Sequence, residues 1–167
     1  MLMVIYMDIV TNDFLYEVFD SNKKEHLELI NKLVNDDLTN EFFKDFKSIV
    51  DNSDNEVYYS YVVINKYGLI GLITLTKVDD DSFVFSHIIN PTFRGLRYSS
   101  KIKCDFIDYM INNELAKKII CYIDRNNKRS INSMMRTNPS EITMDINKKM
   151  LIVTYRKSYK NINVPNK

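Results

Sequence analysis

One stretch constrains the fold more than any other: an apolar strand, a proline, a basic turn and then a helix. Residues 83–89 are apolar and β-rich, Pro91 ends that run, and helical spacing of apolar residues begins near Ser99. The turn between them carries Arg94 and Gly95. Backbone N–H groups at a helix start lack intrahelical partners and lie at the positive end of the macrodipole. The pattern therefore predicts an anion site, the alternative being a loop with solvated arginines.

The length and the hydrophobic content predict one domain without a membrane segment. The chain has 167 residues, 45% of them hydrophobic, which is enough for a real core. No run approaches the roughly 18–20 uncharged apolar residues that span a bilayer. Residues 1–6 are apolar but lack the basic leader of a signal peptide. Cys104 and Cys121 have no paired spacing, so we expect small buried hydrophobes in a reducing, cytoplasmic compartment.

The charge is unevenly distributed along the chain. Residues 1–81 hold 7 Lys/Arg and 16 Asp/Glu, a net charge of −9, whereas residues 82–167 hold 16 Lys/Arg and 6 Asp/Glu, a net charge of +10. This division predicts that the second half faces an anion, either nucleic acid or a phosphorylated cofactor.

Scarce residue types exclude several classes of enzyme. Gly68, Gly71 and Gly95 are the only glycines, so neither G-x-G-x-x-G nor G-x-x-x-x-G-K-[ST] can be built. His26 and His87 are the only histidines, and the sequence has no Cys/His zinc cluster and no G-x-S-x-G elbow. We therefore expect neither serine-hydrolase chemistry nor a metal cofactor.

The first third of the chain predicts strands followed by two helices. The predicted elements are strands 3–10 and 14–19, a helix that runs to residue 34, and an amphipathic helix over 39–50. Ser21 or Asn22 is the expected cap of the first helix, and His26 is expected to be a partly exposed residue on it. The two helices either line a groove or cover one face of a sheet.

The remaining pattern predicts a sheet of mixed direction. The expected elements are strands 56–64, 69–78 and 83–89, a helix over 99–115, strand 117–123, a helix around 131–135, and a last strand 150–155 that could pair with 142–146. The turns predict an antiparallel meander of the first three strands. The strand–helix–strand unit predicts a right-handed crossover with a parallel pair. We expect one α/β domain over residues 1–157 and a flexible tail over 158–167.

This order of elements resembles the GNAT acyltransferase superfamily over residues 69–138. In that family a strand ends in an apolar-x-Pro step and runs into R-G-x-G-x-[GA] at a helix start. Here the run from Ile89 to Ser99 reads I-N-P-T-F-R-G-L-R-Y-S. The family's later N-x-x-[AS] motif corresponds to N-K-R-S from Asn127 to Ser130. The resemblance implies a mixed, mostly antiparallel central sheet with a parallel strand–helix–strand crossover, flanked by helices.

The resemblance also implies the activity. It is that of an acyl-coenzyme A-dependent N-acyltransferase that moves an acetyl group from acetyl-CoA, the co-substrate, to an amine. The acidic first half favours a small cationic amine or a basic peptide as acceptor. The sequence leaves open whether the chain forms a homodimer, and we expect no membrane partner. One alternative is a GNAT-like domain that binds acyl-CoA with little catalysis. A nucleic-acid-binding domain is disfavoured, because the basic residues are spread without a recognised module.

By the same resemblance, ten residues would bind the cofactor: Ile89, Arg94, Gly95, Leu96, Arg97, Tyr98, Ser99, Ser100, Asn127 and Ser130. Backbone N–H groups of residues 96–100 would hold the pyrophosphate. The backbone of Ile89 would pair with the pantetheine arm as an added strand does. Asn127 would contact the same arm, and Ser130 would either join it or cap its helix.

Two residues depart from the family pattern. Arg97 stands where glycine is usual, and a non-glycine residue resists positive φ, so we expect the loop to bend differently. Met134 stands where the family often has a tyrosine that protonates the leaving thiolate. We expect Met134 at the rim of the active site, where a tyrosine would fit.

His87 is the predicted general base, because its unperturbed pKa is the one nearest to neutral pH. The competing interpretation is an ordinary histidine of the sheet. Carboxylates that would act through water are the alternative bases: Glu56, Asp79, Asp80 and Asp81. The backbone N–H near Ile89 is the expected oxyanion donor. Tyr98 and Tyr122 are the options for the acid, although Tyr122 could point into the core.

Overall fold

A computed structural model describes residues 7–42 and 58–157 of the chain. Its strands are β1 (Ile9–Val10), β2 (Leu15–Val18), β3 (Tyr58–Asn65), β4 (Gly68–Asp79), β5 (Ser82–Ile89), β6 (Lys118–Asp124), β7 (Glu141–Asp145) and β8 (Met150–Arg156). Its α-helices are α1 (Lys24–Val34), α2 (Asp37–Phe42), α3 (Tyr98–Asn112) and α4 (Lys128–Met134), with a 3₁₀ turn at Pro91–Phe93.

The eight strands form one sheet in the order β1-β2-β3-β4-β5-β6-β8-β7. Neighbouring strands pair antiparallel except β5 and β6, which pair parallel across the helix α3. The predicted meander, the parallel crossover and the hairpin of the last two strands are therefore confirmed. Parts of four predictions lie outside the described residues: positions 3–6, 43–50, 56–57 and the tail 158–167.

Strand β5 has two unlike edges. Its closed edge pairs with β4 along the whole strand, from Ser82 opposite Asp79 to Ile89 opposite Gly71. Its open edge pairs with β6 only where Ser82–Val84 lies beside Lys118–Ile120. The two parallel strands separate after Val84, and the gap between them is the start of a cleft.

Helix α3 packs beneath the sheet because its apolar residues recur on one face. Phe106 is fully buried, and its ring centroid lies 5.0 Å from that of Tyr16, 5.5 Å from that of Tyr61 and 5.8 Å from that of Phe85. Burying each such ring contributes about 1.5–3 kcal/mol. On the other side, Leu29 and Leu33 of α1 pack in a smaller cluster with β-strand side chains. The core thus fixes the helix start against the end of β5.

The start of α1 differs from the prediction. Lys23 occupies the cap position and makes no side-chain capping bond, so a cap at Ser21 or Asn22 is wrong. His26 is fully buried rather than partly exposed. Its Nδ1 accepts a hydrogen bond of 3.1 Å from the backbone N–H of Asp20, and its Nε2 lies 3.0 Å from Glu17 Oε2. The buried side chain of His26, through its contacts with Asp20 and with Glu17 on β2, thus fixes the start of the helix where a capping side chain was expected.

Candidate active site

A cleft of about 950 Å³ opens between the separated strands β5 and β6. Its walls are the last residues of β5 and residues 121–124 of β6, and the starts of α3 and α4 also contribute. All ten predicted cofactor residues except Leu96 line this cleft, and so does His87. The topology therefore brings the two sequence motifs, which lie more than twenty positions apart, to one place.

The link from β5 to α3 is built from local polar contacts. Asn90 is buried, its Nδ2 donates to the Leu69 carbonyl at 2.9 Å, and its Oδ1 accepts the N–H of Thr92 at 3.2 Å. Gly95 has φ +81°, and a Cβ built there would meet nothing within 4 Å. The backbone at Gly95 is thus open to a close approach by a ligand.

Arg97 adopts the conformation that its side chain was expected to resist. It occupies the cap position of α3 with φ 63° and ψ 16°, the left-handed region. The expectation that the loop bends differently at Arg97 is therefore wrong. This conformation costs an L-residue roughly 1–2 kcal/mol, so packing elsewhere must hold the loop. Non-glycine residues in such conformations are concentrated at functional sites.

The first turn of α3 presents free backbone donors beside small side chains. The N–H groups of this turn have no acceptor within the helix, as at any helix start. Ser100 turns its Oγ back to the Arg97 carbonyl at 3.2 Å, and Leu96 is 59% exposed. Tyr98 packs edge-on to Phe93 and accepts a hydrogen bond from Asn65 Nδ2 at 3.2 Å. The arrangement suits an anion on the backbone.

Arg94 has a carboxylate partner. Its two terminal nitrogens donate to the carboxylate of Asp36 at 2.9 and 2.7 Å, and its Nε donates to the Ile89 carbonyl at 3.2 Å. The hydrogen bonds from Arg94 are the main reason that the pKa of Asp36 falls from 3.8 to about 2. A phosphate contact of Arg94 stays a prediction, and in this structure its charge is already compensated.

The backbone of Ile89 faces the cleft. In an antiparallel pair, alternate residues direct their N–H and C=O groups to opposite edges. Asn90 donates its N–H to the Ile70 carbonyl at 2.9 Å, across the closed edge. The N–H groups of Ile89 and His87 consequently point to the open edge. Arg94 already occupies the Ile89 carbonyl, which leaves the Ile89 N–H as a donor into the cleft.

His87 begins a chain of side-chain hydrogen bonds across the cleft. Its Nε2 lies 2.7 Å from Ser99 Oγ, which lies 2.7 Å from Ser133 Oγ on α4. The ring also stacks on Phe85, with centroids 5.5 Å apart. Burial, and then the charge of Lys103, hold the pKa of His87 well below 6.5. The imidazole is therefore neutral at pH 7, as a general base must be.

The second motif caps the helix α4. Asn127 Oδ1 accepts the backbone N–H of Ser130 at 2.9 Å. Asn127 therefore caps this helix, and the suggestion that Ser130 is the cap is wrong. The amide nitrogen of Asn127 and the hydroxyl of Ser130 both belong to residues that line the cleft.

Three expectations about acids and bases need correction. Met134 is 2% exposed and belongs to the main core, so it does not lie at an active-site rim. Tyr122 is 50% exposed and lines the cleft, so it does not point into the core. The carboxylates of residues 79–81 belong to the last residue of β4 and to the turn before β5, at the end of β5 opposite to the cleft. Glu56 lies outside the described residues.

Sequence reasoning missed three residues at this site. Ser133 contacts Ser99 and Asp36 binds Arg94 across 34 and 58 positions, and no local pattern marks these two pairings. Lys103 did have a signal, because it interrupts the apolar face of a helix otherwise formed by buried residues such as Ile102 and Phe106.

The geometry agrees with the family to which the sequence is similar. The acetyltransferase (GNAT) domain family matches residues 11–138. The chain therefore belongs to the GNAT acetyltransferase family. Among curated proteins, none matches the sequence.

Solved structures share the fold at low identity. The Campylobacter jejuni N-acetyltransferase PseH in complex with acetyl coenzyme A has a TM-score of 0.65 and 16% identity, over 87% of this chain and 99% of that one. The Vibrio cholerae spermidine N-acetyltransferase in complex with CoA and spermine has a TM-score of 0.64 and 15% identity, over 86% and 94%. An acetyltransferase of the GNAT family from Bacillus anthracis has a TM-score of 0.66 and 15% identity, over 89% and 96%.

The described part of the chain shows no second site built on a membrane-spanning helix, a metal ion or a reactive thiol. None of the helices in residues 7–42 and 58–157 is long and apolar enough to cross a membrane. Over the same ranges, no three His, Cys, Asp or Glu side chains gather as metal ligands. Cys104 and Cys121 are both free, and burial raises the pKa of the Cys121 thiol to about 12, which makes it a poor nucleophile.

Proposed function

We propose that this protein is an acyl-coenzyme A-dependent N-acyltransferase that moves an acetyl group from acetyl-CoA to an amine. The observation that carries the proposal is the open edge of β5. The N–H of Ile89, which has no partner on β6, lies in one cleft with the N–H groups at the start of α3 that have no acceptor within the helix. An extended amide-bearing chain can add to such an edge as a strand does, and a pyrophosphate can sit on such a helix start.

The residues present fit acetyl-CoA. Gly95 leaves open space beside the backbone, where a side chain would obstruct a phosphate. Backbone donors of residues 96–100 would hold the pyrophosphate, with Arg97 near enough in sequence to add a charge-assisted contact. Ile89, Asn127 and Ser130 would contact the pantetheine arm, since all three line the cleft.

Acyl transfer needs a deprotonated amine and stabilisation of the oxyanion that forms at the carbonyl. His87 would accept the amine proton, because it is neutral at pH 7 and its ring lines the cleft. The Ile89 N–H would donate to the oxyanion. Tyr98 and Tyr122 both line the cleft and are the candidates for the acid role; the Tyr98 hydroxyl accepts a hydrogen bond from Asn65 and keeps its own proton to donate.

The acceptor in this proposal is a cationic amine or a basic peptide. Support comes from the net charge of −9 over residues 1–81, which include Asp36 beside Arg94 and the helix α2, which contributes residues to the cleft wall. A structural neighbour whose description names CoA and spermine adds to this support. We place the reaction in the cytoplasm, where two free cysteines would stay reduced. Whether the protein forms a homodimer is a separate question, to be answered by measuring its mass in solution.

Binding of acetyl-CoA is the first test. A ligand present at 100 times its Kd adds about 2.7 kcal/mol to stability, so acetyl-CoA should raise the melting temperature. Release of free thiol with a panel of polyamines, aminoglycosides and basic peptides then measures turnover. A rise in melting temperature with nucleic acid but none with acetyl-CoA would replace the proposal by nucleic-acid binding.

A second candidate is a domain that binds acyl-CoA but turns it over poorly. It is favoured by the lowered pKa of His87, which weakens this side chain as a base. Strong stabilisation by acetyl-CoA without thiol release from any amine would support this candidate. Thiol release that requires one class of amine would reject it.

A further inference from the structure

The floor of the cleft holds a charged side chain that the proposed reaction does not use. Lys103 lies one helical turn after Ser99 on α3 and lines the cleft. It is 2% exposed, and within residues 7–42 and 58–157 its Nζ has no hydrogen-bond partner. A buried ammonium without partners is destabilising, so a fold keeps one where something else supplies the partner.

The neighbours of Lys103 do not compensate its charge. The groups that act on it electrostatically are the thiols of Cys104 and Cys121, and its own charge acts on the imidazole of His87. Burial lowers the pKa of Lys103. The nearby carboxylate of Asp105 faces another way, since it accepts hydrogen bonds from Thr11 at 2.7 Å and Tyr16 at 2.6 Å.

The walls around this lysine are mostly apolar. Phe85, Cys121 and Ile123 line the cleft and are each at most 4% exposed. The hydrogen-bonded chain of His87, Ser99 and Ser133 lies on one side. An apolar passage with one unpaired cation suits an aliphatic chain that carries an anionic group at its end.

We propose that this part of the cleft selects the acyl chain of the donor, and that it favours a short dicarboxylic chain whose free carboxylate accepts hydrogen bonds from Lys103 Nζ. The inference rests on the proposed function, because the chain enters as a coenzyme A thioester. In the transfer, the acyl carbon–sulfur bond breaks and a carbon–nitrogen bond to the amine forms. The amine proton passes to the base, the thiolate is protonated, and the distal carboxylate is unchanged. Acetyl-CoA would bind in the same way, but its acyl group has no distal carboxylate and so gives Lys103 no partner.

Succinyl-CoA and butyryl-CoA make a matched pair of probes. Their acyl chains both have four carbons, and only the first ends in a carboxylate. Calorimetric titration of the wild type should give a Kd at least about tenfold lower for succinyl-CoA, as expected for a charge-assisted hydrogen bond. In Lys103→Met, which keeps the length and removes the charge, this ratio should fall to one or below.

Lys101→Met is the control variant, because Lys101 is an exposed lysine on the same helix. It should keep the wild-type ratio, since both probes share the coenzyme A moiety. Melting curves without ligand report whether Lys103→Met folds, and loss of a buried unpaired charge should leave its melting temperature equal or higher. Should that variant unfold, Lys103→Gln provides the same comparison.

The outcomes separate the two proposals. Equal Kd values for succinyl-CoA and butyryl-CoA in the wild type overturn the acyl-chain inference and leave the acyltransferase standing. The acyl-chain inference is also overturned if Lys103→Met keeps the full preference. If acetyl-CoA, butyryl-CoA and succinyl-CoA all fail to bind the wild type, the proposed function itself is rejected. A preference that disappears only in the Lys103 variants supports the inference.

Discussion

The two edges of β5 are made by the same eight residues and have opposite roles. Along the closed edge every position pairs with β4, whereas along the open edge pairing with β6 ends after three positions. The closed edge holds the strand in place, and the open edge directs backbone groups without a β6 partner towards the cleft. A strand can therefore bind a ligand through its backbone without losing its place in the sheet, provided that its other neighbour is complete.

Gly71→Ala attacks the closed edge and should have the largest effect. A Cβ at Gly71 would lie 2.2 Å from the carbonyl oxygen of Ile88, so one of the two strands must shift. We expect a loss of about 3 kcal/mol or more in the free energy of unfolding, measured by urea denaturation. Gly95→Ala is the control: its Cβ meets nothing within 4 Å, so only the cost of its positive φ, roughly 1 kcal/mol, is expected. Equal stability of Gly71→Ala and the wild type would contradict the assigned pairing.

His87→Gln acts on the open edge and tests catalysis rather than stability. Loss of a weak general base should lower kcat about 100-fold, the lower end of the usual range, with the Kd of acetyl-CoA unchanged. Because the pKa of His87 lies well below 6.5, the wild-type rate should not fall as the pH passes 6.5 on account of this residue. An unchanged kcat in His87→Gln would assign the proton to another group.

Arg94→Met tests whether the Arg94 side chain, which donates to the Ile89 carbonyl and to Asp36, contributes to the stability of the fold. Removing the bidentate bond to Asp36 should cost about 2 kcal/mol of unfolding free energy at pH 7. Since the folded pKa of Asp36 is depressed from 3.8 to about 2, its contribution is present above pH 3.8 and lost as the pH falls towards 2. The difference between wild type and variant should therefore shrink over that range.

Asp36→Asn is the matched partner of Arg94→Met. It should lose the same pH-dependent part of the stability while leaving the arginine in place. A strong loss of acetyl-CoA affinity in Arg94→Met, with unchanged stability and a smaller dependence on salt, would instead favour a direct phosphate contact.

Gly95→Val tests the loop beyond the open edge and should have the smallest effect. The open space around Gly95 predicts a folded variant, destabilised by roughly 1 kcal/mol through its positive φ. The branched side chain should obstruct the pyrophosphate and raise the Kd of acetyl-CoA about tenfold, by calorimetric titration. Near-wild-type affinity would mean that the phosphates bind elsewhere.

Local patterns predicted most of the sheet, because hydrophobic alternation and turn residues are short-range signals. The meander, the crossover and the last hairpin were all predicted from these local patterns. Contacts between positions distant in the chain could not be predicted. The ion pair of Arg94 and Asp36, which are 58 positions apart, is an example. The backbone at Arg97 was predicted wrongly for a related reason: intrinsic preference favours negative φ, and packing of the surrounding loop overrides it.

Burial was the other source of error. His26 and Met134 lie on helices whose exposed and buried faces could be judged from spacing, yet both are buried against strands that the spacing does not specify. Short motifs identified Gly95 and Asn127, which the fold brings to one cleft, and their contacts with a cofactor stay a prediction. Lys103 is marked in the sequence as a charge on the apolar face of a core helix, but its place in a cleft between two strands could not be predicted, because residues distant in the chain form that cleft.

The short parallel ladder between β5 and β6 also bears on how the chain folds. Strands β1–β5 form one half-sheet and β6, β8 and β7 form the other, and three paired positions join them. The β3–β4–β5 meander and the β7–β8 hairpin pair segments close in sequence, whereas the β5–β6 ladder must close over the whole crossover helix, which carries a larger loop entropy than either hairpin. We therefore expect the β5–β6 ladder to form after these hairpins, together with the packing of α3 against side chains of both half-sheets in the main core.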